Sequence, residues 1–111
     1  MRSLATHLFR DPALTYNLSI YNNYYYNITD GIDTREGAEL LVENNIFVNV
    51  KDPMFSTNTG YAVSRNNNFG SGVNTAPNGT LTSVPYSYTL ESLDTVRSGV
   101  PSGAGATLSI N

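Results

Sequence analysis

The fold this sequence predicts is all-β: a right-handed parallel β-helix of about three coils with an irregular C-terminal tail packed on its side. Three observations predict it. Asn-Asn pairs at Asn22-Asn23, Asn44-Asn45 and Asn66-Asn67 fall 22 residues apart. Two residues after each pair stands an aromatic ring, giving Tyr25, Phe47 and Phe69 in one register. The wider frames agree too, with residues 20–28 lying over residues 42–50 and residues 64–69 opening a third copy. A fixed period in the low twenties marks a solenoid whose coils stack on one another. Leucine-rich repeats share that period but need a dense Leu pattern that is absent here.

Each element follows from residue type. Asn tolerates the left-handed backbone of a sharp corner better than most residues with a Cβ. Stacked coils also superimpose the Asn side chains, whose amides can donate and accept along the stack as a ladder. Strand side chains alternate with period two, so Tyr25, Phe47 and Phe69 point inward as an aromatic stack, and Tyr24 and Tyr26 point outward. Short strands are expected over 18–21, 24–28, 31–34, 39–43, 46–50 and 61–65, each followed by Asn, Asp or Gly. The second corner of each coil varies: Arg35-Glu36-Gly37 turns one coil, and 57–60 (TNTG) turns the next.

Three stretches result. Residues 1–17 are an irregular N-terminal segment outside the repeat, 18–70 are the coils, and 71–111 are a tail covering them. Within the tail, 70–80 is loop, 80–90 alternates, 91–98 is short helix and 106–110 is a final apolar strand.

Composition narrows the partners. A chain of 111 residues is one domain at most. The net charge of −3 argues against nucleic acid. No apolar run reaches the ~18–20 residues that cross a bilayer. Zero cysteines exclude a disulfide scaffold and thiolate metal sites. No secretory leader is visible at the start of the chain. Asn-x-Ser/Thr sequons occur at Asn17, Asn27 and Asn78, a weak sign in a chain this rich in Asn.

The segment 21–38 (YNNYYYNITDGIDTREGA), followed by 40–47 (LLVENNIF), resembles the C-terminal part of fungal-type pectate lyases. Segments 79–90 and 103–108 resemble the closing stretch of the same family. The resemblance implies a secreted, extracellular parallel β-helix lyase of pectin degradation. Members act on polygalacturonate by calcium-assisted β-elimination. Calcium on the sugar carboxylate acidifies the neighbouring C5 proton, which a base then removes. By resemblance the base is the arginine of an Arg-x-Pro motif, and Arg10-Asp11-Pro12 carries that pattern. A second alignment sets His7–Asp11 against an earlier family strand and leaves no counterpart of the base. By resemblance Arg35 matches a substrate-binding arginine, whose planar guanidinium suits a carboxylate. The alternative is a solvated turn arginine paired with Glu36 or Asp33.

Calcium is the cofactor of the full-length family, and no calcium site is expected in this chain, because Asp11, Asp30, Asp33 and Asp52 are scattered. The expectation is therefore a fragment or degenerate form of a pectate lyase, inactive alone. The alternative is a non-catalytic polysaccharide-binding or structural β-solenoid. Either form is expected to self-associate through an uncapped N-terminal coil.

Overall fold

The computed structural model describes the backbone of residues 5–10 and 16–99, and side chains from residue 17 to 99. Eight strands and one helix follow in order: β1 (Ala5–Arg10), β2 (Tyr16–Tyr21), β3 (Tyr24–Tyr26), β4 (Asp30–Arg35), β5 (Glu39–Glu43), β6 (Ile46–Val48), β7 (Asp52–Thr57), β8 (Tyr61–Arg65) and α1 (Leu93–Ser98). They form three sheets, ordered β1-β2-β5-β8, β3-β6 and β4-β7. Every pairing between coils is parallel and in the register of the repeat, Ile20 on Val42, Tyr25 on Phe47 and Ile32 on Met54. The architecture is a parallel β-helix. Its third turn runs through β8 and continues as single bridges at Asn68 and Asn74.

The interior is a column of apolar side chains, one set per coil. Ile20, Leu40, Val42 and Ala62 come from the first sheet, Tyr25 and Phe47 from the second, and Ile32 and Met54 from the third. Ring centroids of Tyr25 and Phe47 are 4.6 Å apart with planes at 10°, and Phe69 follows at 5.3 Å. The aromatic stack is thus the one that the spacing predicts.

The Asn column is also present, with its labour divided. The first Asn of each pair turns the corner, at φ of 58°, 56° and 53° for Asn22, Asn44 and Asn66. The second builds the ladder. Asn45 Oδ1 accepts from the Asn23 backbone N–H at 2.9 Å, and Asn67 Oδ1 accepts from the Asn45 N–H at 2.9 Å. Asn45 Nδ2 donates upward to the Ile20 carbonyl and downward to Asn67 Oδ1. Backbone groups that a corner would strand in the interior are satisfied in this way.

A further Asn pair, Asn27 and Asn49, also adopts the left-handed conformation, at 60° and 55°. It ends β3 and β6 two residues earlier than the sequence suggests. The opposite corner holds Glu36 at 54° and Gly37 at 75°, and one coil later Asn58 at 50° and Thr59 at 60°. Thr59 occupies the place of Gly37, and a β-branched residue is strained at positive φ. Thr59→Gly is expected to raise the denaturant midpoint by about 1 kcal/mol of stability, whereas Gly37→Thr lowers it by a similar amount.

Three stretches differ from expectation. Residues 52–57 form β7, although Pro53 argues against a strand. Here the proline is the second residue of the strand, and Gly31 opposite has no Cβ to strike the Pro53 carbonyl, which would lie 2.4 Å away. Ala5–Arg10, expected to be irregular, is a strand antiparallel to β2, from Ala5 on Tyr21 to Arg10 on Tyr16. It satisfies the edge of β2 that no parallel coil covers. The alternating stretch 80–90 contains no strand, because its backbone runs along the Asn corners rather than beside a free edge. The apolar strand expected at 106–110 lies outside the described residues.

The helix falls within its expected range. Ser92 caps it, accepting from the Thr95 N–H, and Val96 is its buried residue. It packs against β6. The tail before it is tied to the corners: Asn22 Nδ2 donates to Thr89 O at 2.8 Å, Asn44 Nδ2 to Glu91 O at 2.7 Å, and Glu91 N–H to Asn22 Oδ1 at 2.9 Å. Among the described residues, no helix is long and apolar enough to cross a membrane.

Candidate substrate face

The tail does not treat the three sheets alike. Tyr21 and Leu41 point away from the interior column, yet both are buried. The Tyr88 ring lies 4.5 Å from that of Tyr21, and its hydroxyl donates to Glu43 Oε1. Arg65 faces the other oxygen of Glu43 at 3.6 Å. This buried carboxylate, between a phenol and a guanidinium, pins the tail over the first sheet. Helix α1 covers β6 of the second. The outer face of the third sheet instead carries exposed Asp33, Arg35 and Thr57.

Tyr88 has a consequence in alkali. Burial first, then its hydrogen bond to Glu43 and that charge, push its phenol from about 10 to about 12. Burial raises Tyr21 and Tyr25 as well. The folded chain therefore keeps protons that the unfolded chain has lost. Their stabilisation is full below pH 10 and is lost as pH rises from 10 through about 12. Denaturant midpoints are expected to fall over that window, and less steeply in Tyr88→Phe than in the parent.

Arg35 is the last residue of β4, just before the left-handed corner at Glu36, opposite Thr57 in register. Its side chain is 60% exposed, with Nε 3.8 Å from Asp33 Oδ2, a loose ion pair. Asp33 is also held by the Thr57 hydroxyl, at 3.0 and 3.1 Å from its two oxygens. The guanidinium is left facing solvent and can exchange Asp33 for an incoming carboxylate. Beside it opens a cavity of about 400 Å³ lined by Leu18, Ile20, Tyr25, Ile32 and Leu40. All are interior residues, of the first coil except for Leu40 of the second, so the opening is at the first-coil end of the stacked core.

Arg10, the other candidate, closes β1 opposite Tyr16, and its side chain lies outside the described residues. Of the two arginines, the structure thus gives a side-chain position to Arg35. Among the described residues, no group of three or more His, Cys, Asp or Glu side chains could hold a metal ion. Asp33 is one of the two ion-pair partners that the sequence offers Arg35, whereas Thr57 is not singled out there. The signal was available, since they lie 24 residues apart, two more than the repeat, which sets them diagonally on one sheet face.

Fold and exposed face define the class: a parallel β-helix with one uncovered sheet face bearing an arginine. In sequence the chain is similar to part of the pectate lyases of several fungi. It is 53% identical over 100 residues to pectate lyase A of Aspergillus niger. It is 51% identical to pectate lyase A of Emericella nidulans and 52% to the "Probable pectate lyase A" of Aspergillus flavus. Each match covers 89% of this chain and 31% of the relative, so the chain spans about a third of the length of these proteins. No family model matches the chain.

Proposed function

We propose that this chain is the part of an extracellular pectate lyase that carries one wall of its polygalacturonate-binding face. The observation that supports this most directly is the exposed Arg35 guanidinium on the uncovered sheet, in a chain half identical to named pectate lyases. Arg35 grips a galacturonate carboxylate through paired N–H donors, displacing its loose contact with Asp33. Arg10 takes the role of base in the whole enzyme. An arginine serves as a base only where neighbouring cations depress its pKa strongly. The whole enzyme would hold its calcium with residues other than the described ones, so the chain alone binds without cleaving. An isolated chain also associates through the first coil, whose interior residues line the cavity at the end of the stack.

The test pairs binding with turnover. Polygalacturonate is incubated with the chain in calcium or in chelator, and the unsaturated product is followed by ultraviolet absorbance. No product is expected, and binding is expected to weaken about fivefold in Arg35→Ala, the scale of one exposed charged contact. Calcium-dependent product would overturn the incompetence of the chain, and unchanged binding would remove Arg35 from the face. Sedimentation at micromolar concentration is expected to show species larger than a monomer.

A further inference from the structure

Three sequons are present, and the fold places each in a different setting. Asn17 lies in β2, hydrogen-bonded strands on both sides of it, with Phe9 and Glu39 in register. Ser19, the hydroxyl residue of that sequon, is fully buried. By alternation Asn17 shares a sheet face with Ser19 and Tyr21, over which Tyr88 of the tail lies. Asn27 is exposed, but it sits at a left-handed corner with its side-chain oxygen already accepting from Asn49 Nδ2.

Asn78 is different. It and Thr80 are both exposed, in the loop that follows the last coil. The backbone on either side is anchored: Ala62 N–H donates to Pro77 O at 2.9 Å, and Gly79 N–H donates to Ala62 O at 3.1 Å. Thr80 N–H donates to Glu39 Oε1 at 3.1 Å. The Asn78 side chain makes no hydrogen bond among the described residues, so its amide can be substituted without breaking any contact of the fold.

We infer that Asn78 is an N-glycan attachment site. The inference rests on the extracellular reading above, since the donor is a polyprenyl-diphosphate-linked oligosaccharide of the secretory route. Asn78 Nδ2 forms a bond to the sugar C1, the bond from C1 to the diphosphate oxygen breaks, and one amide proton is released with the departing lipid diphosphate. The position has a use. Asn78 bridges to Ala62 on the side of β8 that no further described strand covers, β8 being the last strand of the four-stranded sheet. A glycan there shields an edge that otherwise invites pairing with another chain.

The test supplies a heterologous leader to the full chain in a eukaryotic host, so that failure of natural secretion is not confused with failure of the site. Chain is collected from both medium and membrane fraction, then deglycosylated by peptide N-glycosidase in heavy-oxygen water and mapped by mass spectrometry. Heavy-oxygen aspartate is expected at position 78, lost in Asn78→Gln and in Thr80→Ala, and retained in Asn17→Gln. Recovery of unlabelled asparagine at 78 from both fractions, with or without label at Asn27, would overturn the assignment. The extracellular reading is checked separately, by following the native gene product in culture fluid.

Discussion

Asn45→Ala is expected to lower the stability of the chain by about 3–5 kcal/mol, the sum of several buried polar groups losing partners at once. Asn45 is fully buried. Its Oδ1 holds the Asn23 N–H at 2.9 Å, and its Nδ2 holds the Ile20 carbonyl at 3.1 Å and Asn67 Oδ1 at 3.0 Å. Alanine removes all three, and neither Asn23 N–H nor Ile20 C=O can reach water instead. Since whole domains are stable by roughly 5–15 kcal/mol, one rung is a large fraction of the total. The neighbouring Asn44→Gly is the control. Glycine adopts the left-handed corner freely, so only the bond from Asn44 to Glu91 O is lost, and the cost stays near 1 kcal/mol. Equilibrium urea unfolding of both variants checks this, and equal costs would mean that the ladder does not hold the coils together.

Phe47→Ala carries the second large effect, about 3–5 kcal/mol, from lost transfer energy plus the cavity left behind. The ring has no exposed surface and lies between Tyr25 and Phe69. Coils stacked on a fixed backbone repeat cannot collapse into the gap, because the hydrogen-bonded sheets set their spacing. Phe69→Ala is expected to cost distinctly less, since Phe69 is only partly buried at the end of the stack. Thermal unfolding of the pair reads the difference. A Phe47→Ala chain that melts with the parent would show that the aromatic column is not part of the core.

Legibility in the sequence followed the physics of repetition. Phe47 and Asn45 were readable because each recurs one coil away, and a stacked pair needs the same residue type at the same register. β7 was hidden because Pro53 argues locally against a strand, and only Gly31 in the coil above makes room for it. Glu43 looked like an ordinary strand residue. Its partners Tyr88 and Arg65 stand 45 and 22 positions away, and only the first crosses from coil to tail. Arg35 was found through family resemblance and Asp33 as its neighbour in the turn, and the structure added Thr57 beside them.

The sequence by itself determined the coil: its period, its Asn corners and its inward aromatics, because each is fixed by local backbone preference and repeated at every level of the stack. Only the tertiary structure decided which Asn of each pair turns the chain and which builds the ladder. It alone decided which sheet the tail leaves bare, because the tail is not periodic and its docking depends on contacts between residues far apart in the chain.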